Sequence, residues 1–139
     1  MQEAKLRQNY LTQPIKTLYF GGGTPSLLSP KEFDRILNSL HKNFNISSNP
    51  ELTLELNPDD MNEEKIKSFQ ASGLNRLSIG IQSFDDDVLK FMNRSHSAQE
   101  SVRIVEIAQK LGLENITADL IYGIPNRDLD YWKTQLEKA

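Results

Sequence analysis

The segment Leu52-Thr53-Leu54-Glu55-Leu56-Asn57 alternates apolar and polar residues without a break, and Arg76-Leu77-Ser78-Ile79-Gly80-Ile81-Gln82 does the same. Period-2 alternation is the mark of a strand with two unlike faces. Leu52, Leu54 and Leu56 point one way, and Thr53, Glu55 and Asn57 the other. Leu77, Ile79 and Ile81 likewise oppose Ser78, Gly80 and Gln82. Between the two strands the period changes. Asp60 and Glu63 open a helix that carries Ile66 and Phe69, and Gly73 ends it. Two strands joined by a helix form a crossover unit, so they lie parallel in one sheet.

The pattern extends outward in both directions. Upstream, Leu18 to Phe20 is a short strand closed by Gly21-Gly22-Gly23. Ser29-Pro30-Lys31-Glu32 then combines a cap, a proline at the first helical position and a capping box, before Phe33, Ile36, Leu37, Leu40 and Phe44 at helical spacing. Downstream, Asp85 to Met92 is a short helix with a solvated acidic start. Ser97 and Glu100 form a second capping box ahead of Val102, Val105, Ala108 and Leu111. Asn115 to about Ile121 is a fourth strand, with Ile116, Ala118 and Leu120 opposing Thr117 and Asp119. The last helix, from Asp128, carries Leu129, Trp132 and Leu136 on one face, with Trp132 as core.

The class is therefore α/β, with parallel βα repeats. Strands of a doubly wound sheet are covered on both sides and read apolar throughout. These strands are two-faced. The apolar sets belong under helices and the small and polar sets face the inside of a barrel. A complete barrel of this kind needs about 250 residues, and this sequence has 139. The expectation is about half of a partial TIM-type barrel, residues 1–139 forming an internal segment of one domain. Two open sheet edges invite self-association.

Composition narrows the function. A net charge of −3 with 25% charged residues gives no basic excess for nucleic acid. No apolar run approaches the ~20 residues of a membrane span, and the polar start MQEAKLRQNYLTQ is unlike a signal peptide. A cytoplasmic location is the default expectation. There is no cysteine, so this chain supplies neither disulfides nor thiolate ligands for zinc or iron–sulfur clusters.

The candidate site residues lie where strands end. Gly21, Gly22, Gly23 and Thr24 follow the first strand directly. Three glycines let backbone groups approach a ligand closely, binding a phosphate or presenting carbonyls to an ammonium group; a plain tight turn is the other reading. Glu55, on an inward face, needs a cation or hydrogen-bond donors, either from a ligand or from an internal ion pair. The Gln82 amide both donates and accepts. Asp119, among apolar neighbours, suits a ribose diol. Arg94 offers a fork for a carboxylate or is a surface residue near a helix end. His96 is a candidate base or ligand, although a lone loop histidine is more often a surface residue. The set matches a zwitterionic amino acid joined to a nucleoside.

Five ordered motifs carry a family resemblance. Phe20-Gly21-Gly22-Gly23-Thr24-Pro25-Ser26, Glu55-Leu56-Asn57-Pro58, Arg76 to Phe84, Asn93-Arg94 and Asp119-Leu120-Ile121-Tyr122-Gly123-Ile124-Pro125 resemble radical S-adenosylmethionine (SAM) proteins related to oxygen-independent coproporphyrinogen III oxidase. Thr24-Pro25-Ser26, Gln82-Ser83-Phe84 and Arg94-Ser95-His96 are more similar to the heme chaperone (HemW) branch. The resemblance implies a SAM site. Gly21 to Gly23 would border the methionine amino group, Arg94 the carboxylate, Gln82 and Asp119 the ribose hydroxyls, and Glu55 would add a polar contact, with Thr24 in the same loop. It also implies a parent protein with a [4Fe-4S] cluster on a CxxxCxxC loop, and a porphyrin or heme partner. This sequence lacks that loop, so the chain by itself is expected to be inactive.

Three functions compete at this level. One is a segment of a heme chaperone, the reading preferred here. Another is a segment of a coproporphyrinogen oxidase, an oxidative decarboxylase. The third is a cluster-free protein with a SAM-binding or structural role.

Overall fold

A computed structural model describes Gln2–Ala139; Met1, the first residue of the polar start, lies outside the described residues. The elements run α1 (Gln2–Leu6), β1 (Ile15–Phe20), α2 (Pro30–Asn43), β2 (Ile46–Leu56), α3 (Glu63–Ala71), β3 (Arg76–Gln82), α4 (Asp86–Phe91), α5 (Ala98–Lys110), β4 (Ile116–Leu120) and α6 (Leu129–Lys138), with single 3₁₀ turns at Pro25–Leu27 and Pro58–Asp60.

The four strands form one sheet in the order β1-β2-β3-β4, and every neighbouring pair is parallel. A doubly wound sheet reverses its strand order at a switch point. This one does not reverse, as in a barrel wall. The α/β class and the partial-barrel architecture read from the alternation are what the structure shows.

The core lies on the helix side of the sheet. Leu52, Leu54, Leu56, Leu77, Ile79 and Ile81 are all buried there, with Phe33 and Leu37 of α2, Ile66 and Phe69 of α3, and Ile104 and Ala108 of α5. Phe33 joins the layers. Its ring lies 4.6 Å from that of Phe20 and 4.7 Å, edge to face, from that of Phe69. Both predicted capping boxes form, at Ser29/Glu32 and Ser97/Glu100.

Three expectations need correction. β2 starts at Ile46, well before the alternation begins. Its polar first half is strand because it pairs with β1, through a register shift between Ile15 and Thr17. On β4, Ala118 is exposed and Leu120 only half-buried, since a cavity shared with α5 and the end of α6 leaves this strand incompletely covered. On α6 the apolar face is not the packed one. Leu129 and Leu136 are exposed and Trp132 is half-buried, its ring 6.2 Å from that of Tyr122.

The buried residue of α6 is Gln135. Its Oε1 accepts the Phe84 N–H at 2.7 Å and the Ser83 hydroxyl at 3.2 Å. A polar clasp thus holds α6 on the β3–α4 turn, and no periodicity announces it.

Candidate functional site

The C-terminal ends of four parallel strands meet one cavity of about 280 Å³, lined by Gly22, Gly23, Thr24, Pro25, Glu55, Leu56, Asn57, Ser78, Gly80, Gln82, Arg94 and Asp119. Seven of the eight residues singled out by sequence are therefore brought together. Gly21, the eighth, lines an adjoining groove that shares the glycine loop. Asn57, Ser78 and Gly80 were not candidates, although the period-2 faces that carry Glu55 and Gln82 carry them too.

Glu55 makes no ion pair among the described residues. Its carboxylate is held by two donors instead: the Tyr19 hydroxyl at 2.8 Å and the Gly22 N–H at 2.9 Å. Gly21 has no room for a side chain. A Cβ there would sit 2.7 Å from Tyr19 Cε1 and 2.9 Å from Glu55 Oε1. The next two glycines take φ of 71° and 57°, and Thr24 continues in the left-handed region at 62°. This run of positive φ bends the loop over the strand ends.

Gln82, like Thr24, is a non-glycine residue held at positive φ. Its φ is 66°, and the Ser83 N–H returns to the Ile81 carbonyl at 2.8 Å. Gln82 thus sits at the centre of a γ-turn, a strained conformation for a residue with a side chain. The turn sends its amide back over Gly80, where a Cβ would stand 2.7 Å from Gln82 Nε2.

Asp119 accepts one hydrogen bond, from Ser78 at 3.3 Å, and is otherwise open to solvent. Arg94 follows the C-terminus of α4. Asn93 takes the left-handed position at φ 53°, and the Arg94 N–H caps the Leu89 carbonyl at 2.9 Å, as in a Schellman motif. The half-buried guanidinium has no acidic partner among the described residues. A cation at a cavity rim without a carboxylate is suited to receive one from a ligand.

His96 corrects the surface expectation. Its side chain is 1% exposed, because the ring packs under the strand ends and Nε2 meets the Ile81 carbonyl at 3.1 Å. Asp85 is likewise no merely solvated carboxylate. It caps α4 through the Asp87 and Val88 N–H groups and pairs with Arg127 at 3.1 Å.

The radical SAM superfamily profile matches residues 2–138. This chain belongs to the radical SAM superfamily. Among curated relatives, it is 37% identical over 131 residues to the heme chaperone HemW of Lactococcus lactis, covering 94% of this chain and 35% of the relative. It is 38% identical to the mitochondrial radical SAM domain-containing protein 1 of Danio rerio, covering 89% and 28%. Among solved structures, the coproporphyrinogen III oxidase HemN of Escherichia coli superposes with a TM-score of 0.87 at 28% identity, covering 99% of this chain and 32% of the other. The chain spans about a third of the length of these relatives.

The superfamily implies SAM and an iron–sulfur cluster. The donor set treats the two differently. For SAM, the cavity offers an unpaired guanidinium, two carboxylates, an amide and a bent glycine loop, complementary to an amino acid and a ribose. For the cluster, 139 residues contain no cysteine, and no group of three or more potential metal ligands exists among the described residues. These residues fit SAM and do not fit the cluster. No helix among the described residues is long and apolar enough to cross a membrane.

Proposed function

We propose that this chain is the SAM-holding wall of a radical SAM protein of heme metabolism, with a heme chaperone as the whole protein. One observation carries the binding half of this reading: residues from all four strand ends converge on one cavity as a matched set. Gly22, Gly23 and Thr24 would border the methionine amino group, with Glu55 accepting from it, while Gly21 leaves room for the Glu55 carboxylate. Arg94 would take the methionine carboxylate as a bidentate fork. Gln82 and Asp119 would hold the ribose hydroxyls. Bound SAM supplies a sulfonium whose carbon–sulfur bonds are the reactive ones; the residues here orient it.

The chaperone assignment rests on the HemW relatives of Lactococcus lactis and Escherichia coli, which match 94% and 90% of this chain. The fold likeness to HemN favours a second reading, a segment of a coproporphyrinogen oxidase. A protein carrying this segment with its cluster, given heme and coproporphyrinogen III, separates the two. A heme absorption band with no porphyrinogen consumed is expected; decarboxylation of the propionates overturns the chaperone reading. A cluster-free protein limited to SAM binding predicts neither result.

The chain alone is expected to bind SAM weakly, with a dissociation constant of about 0.1 mM or above, and to leave it intact. Arg94→Gln weakens that binding by about tenfold or more, the worth of a charge-assisted hydrogen bond. Titration followed by NMR checks both. Submicromolar binding to the unaltered chain, or no effect of the substitution, overturns the corresponding statement.

A further inference from the structure

His96 lies outside the cavity lining yet touches the supports of two residues in it. The Ile81 carbonyl belongs to the peptide that leads into Gln82. It accepts from the Ser83 N–H at 2.8 Å, closing the γ-turn, and from His96 Nε2 at 3.1 Å. A carbonyl can only accept, so Nε2 carries the proton. Two donors on one oxygen brace the strained turn that aims the Gln82 amide.

The same ring fixes the segment that presents Arg94. On one side, Arg94 is tied to α4 by its own N–H on Leu89. On the other, Ser95 donates to Asp59 Oδ2 at 2.5 Å, and Asp59 Oδ1 stands 3.9 Å from His96 Nδ1. Directly after His96, Ser97 begins the capping box of α5. Arg94 therefore projects from a short span held at both ends, and the buried imidazole is the end nearer Gln82. A loop of this length with a free surface histidine would leave the guanidinium several orientations, each costing entropy on binding.

We propose that His96 is a positioning residue for the candidate ligand site, setting Arg94 and Gln82 at a fixed separation through the Ile81–Gln82 peptide. This rests on the SAM reading above, in which Arg94 meets the ligand carboxylate. The role belongs to the ring nitrogen as a hydrogen-bond donor, so a residue that keeps the donor keeps the function. A residue that keeps only the ring volume does not.

The test compares affinities of the unaltered chain and its variants for SAM and for decarboxylated SAM, which lacks the carboxylate, by NMR titration. The ratio of the two affinities reports how well Arg94 is placed, whereas general loosening lowers both and leaves the ratio. The unaltered chain is expected to prefer SAM by about tenfold or more, and Arg94→Gln to abolish the preference. His96→Phe is expected to lower the ratio at least about fivefold, and His96→Gln, whose amide can donate to Ile81, to restore most of it.

A His96→Phe ratio equal to that of the unaltered chain, or a His96→Gln ratio no better than His96→Phe, overturns the proposal while leaving the SAM reading in place. No preference in the unaltered chain overturns both. Should His96→Phe not fold, His96→Leu, which also lacks the donor and asks for less space, takes its place in the comparison. Its ratio falls at least about fivefold, or the proposal fails.

Discussion

At the scale of single residues, the site depends on groups that hold other groups. Glu55 is presented by Tyr19 and Gly22, and Gly21 leaves the space in which they meet. The Tyr19 phenol records this arrangement. The Ser78 hydroxyl draws its pKa down, but the Glu55 hydrogen bond, burial and the Glu55 and Asp119 charges together raise it above the usual 10.0. Glu55→Gln removes a negative charge and a strong acceptor, so Tyr19 is expected to titrate at lower pH in that variant. Absorbance titration of the phenols, with Tyr19→Phe identifying the band, checks this; an unchanged Tyr19 midpoint contradicts the contact. Glu55, Gln82 and Asp119 were legible in the sequence because each stands at a strand end on a polar face. The buried ring of His96 was not, because burial of a loop residue depends on what packs beneath it.

At the scale of elements, local signals and packing contribute separately. Phe33, fully buried, ties β1, α2 and α3 through Phe20 and Phe69. Phe33→Ala is expected to destabilise the fold by about 3–5 kcal/mol, read as a lower denaturant midpoint. The capping boxes add a pH dependence. The Ser29 hydroxyl and N–H hold Glu32 below its ordinary 4.5, and the Ser97 N–H and hydroxyl do the same for Glu100. A carboxylate whose pKa is depressed by folding stabilises the fold above its unfolded value. That contribution disappears as pH falls through the folded value. The loss is therefore expected below about pH 4.5, and replacing both glutamates with alanine removes this part of the acid sensitivity. Denaturant midpoints at pH 7 and pH 3 for the two proteins would show it. The boxes were legible because four consecutive residues suffice to form one. The early start of β2 and the polar clasp of α6 were not. Ile46 becomes strand by pairing with Ile15, and Gln135 is buried where its Oε1 meets the Phe84 N–H and the Ser83 hydroxyl.

At the scale of the whole molecule, the sheet keeps two strands with one paired neighbour each, β1 and β4. The apolar side of β4 is incompletely covered. Unpaired edges of this kind are templates for another chain. Concentration-dependent self-association is expected in sedimentation velocity, and a monomer at all concentrations overturns it. The sequence by itself determined the strand faces, the helices between them and the parallel class, because period 2, period 3.6 and end caps are properties of neighbours along the chain. It also placed the chemically capable side chains at strand ends. Only the tertiary structure decided that these ends surround a single cavity, that Gln82 sits in a strained turn, and that a buried histidine braces it. The cavity depends on strand order and register, and the turn, though closed locally by Ser83 on Ile81, is braced from beneath by His96.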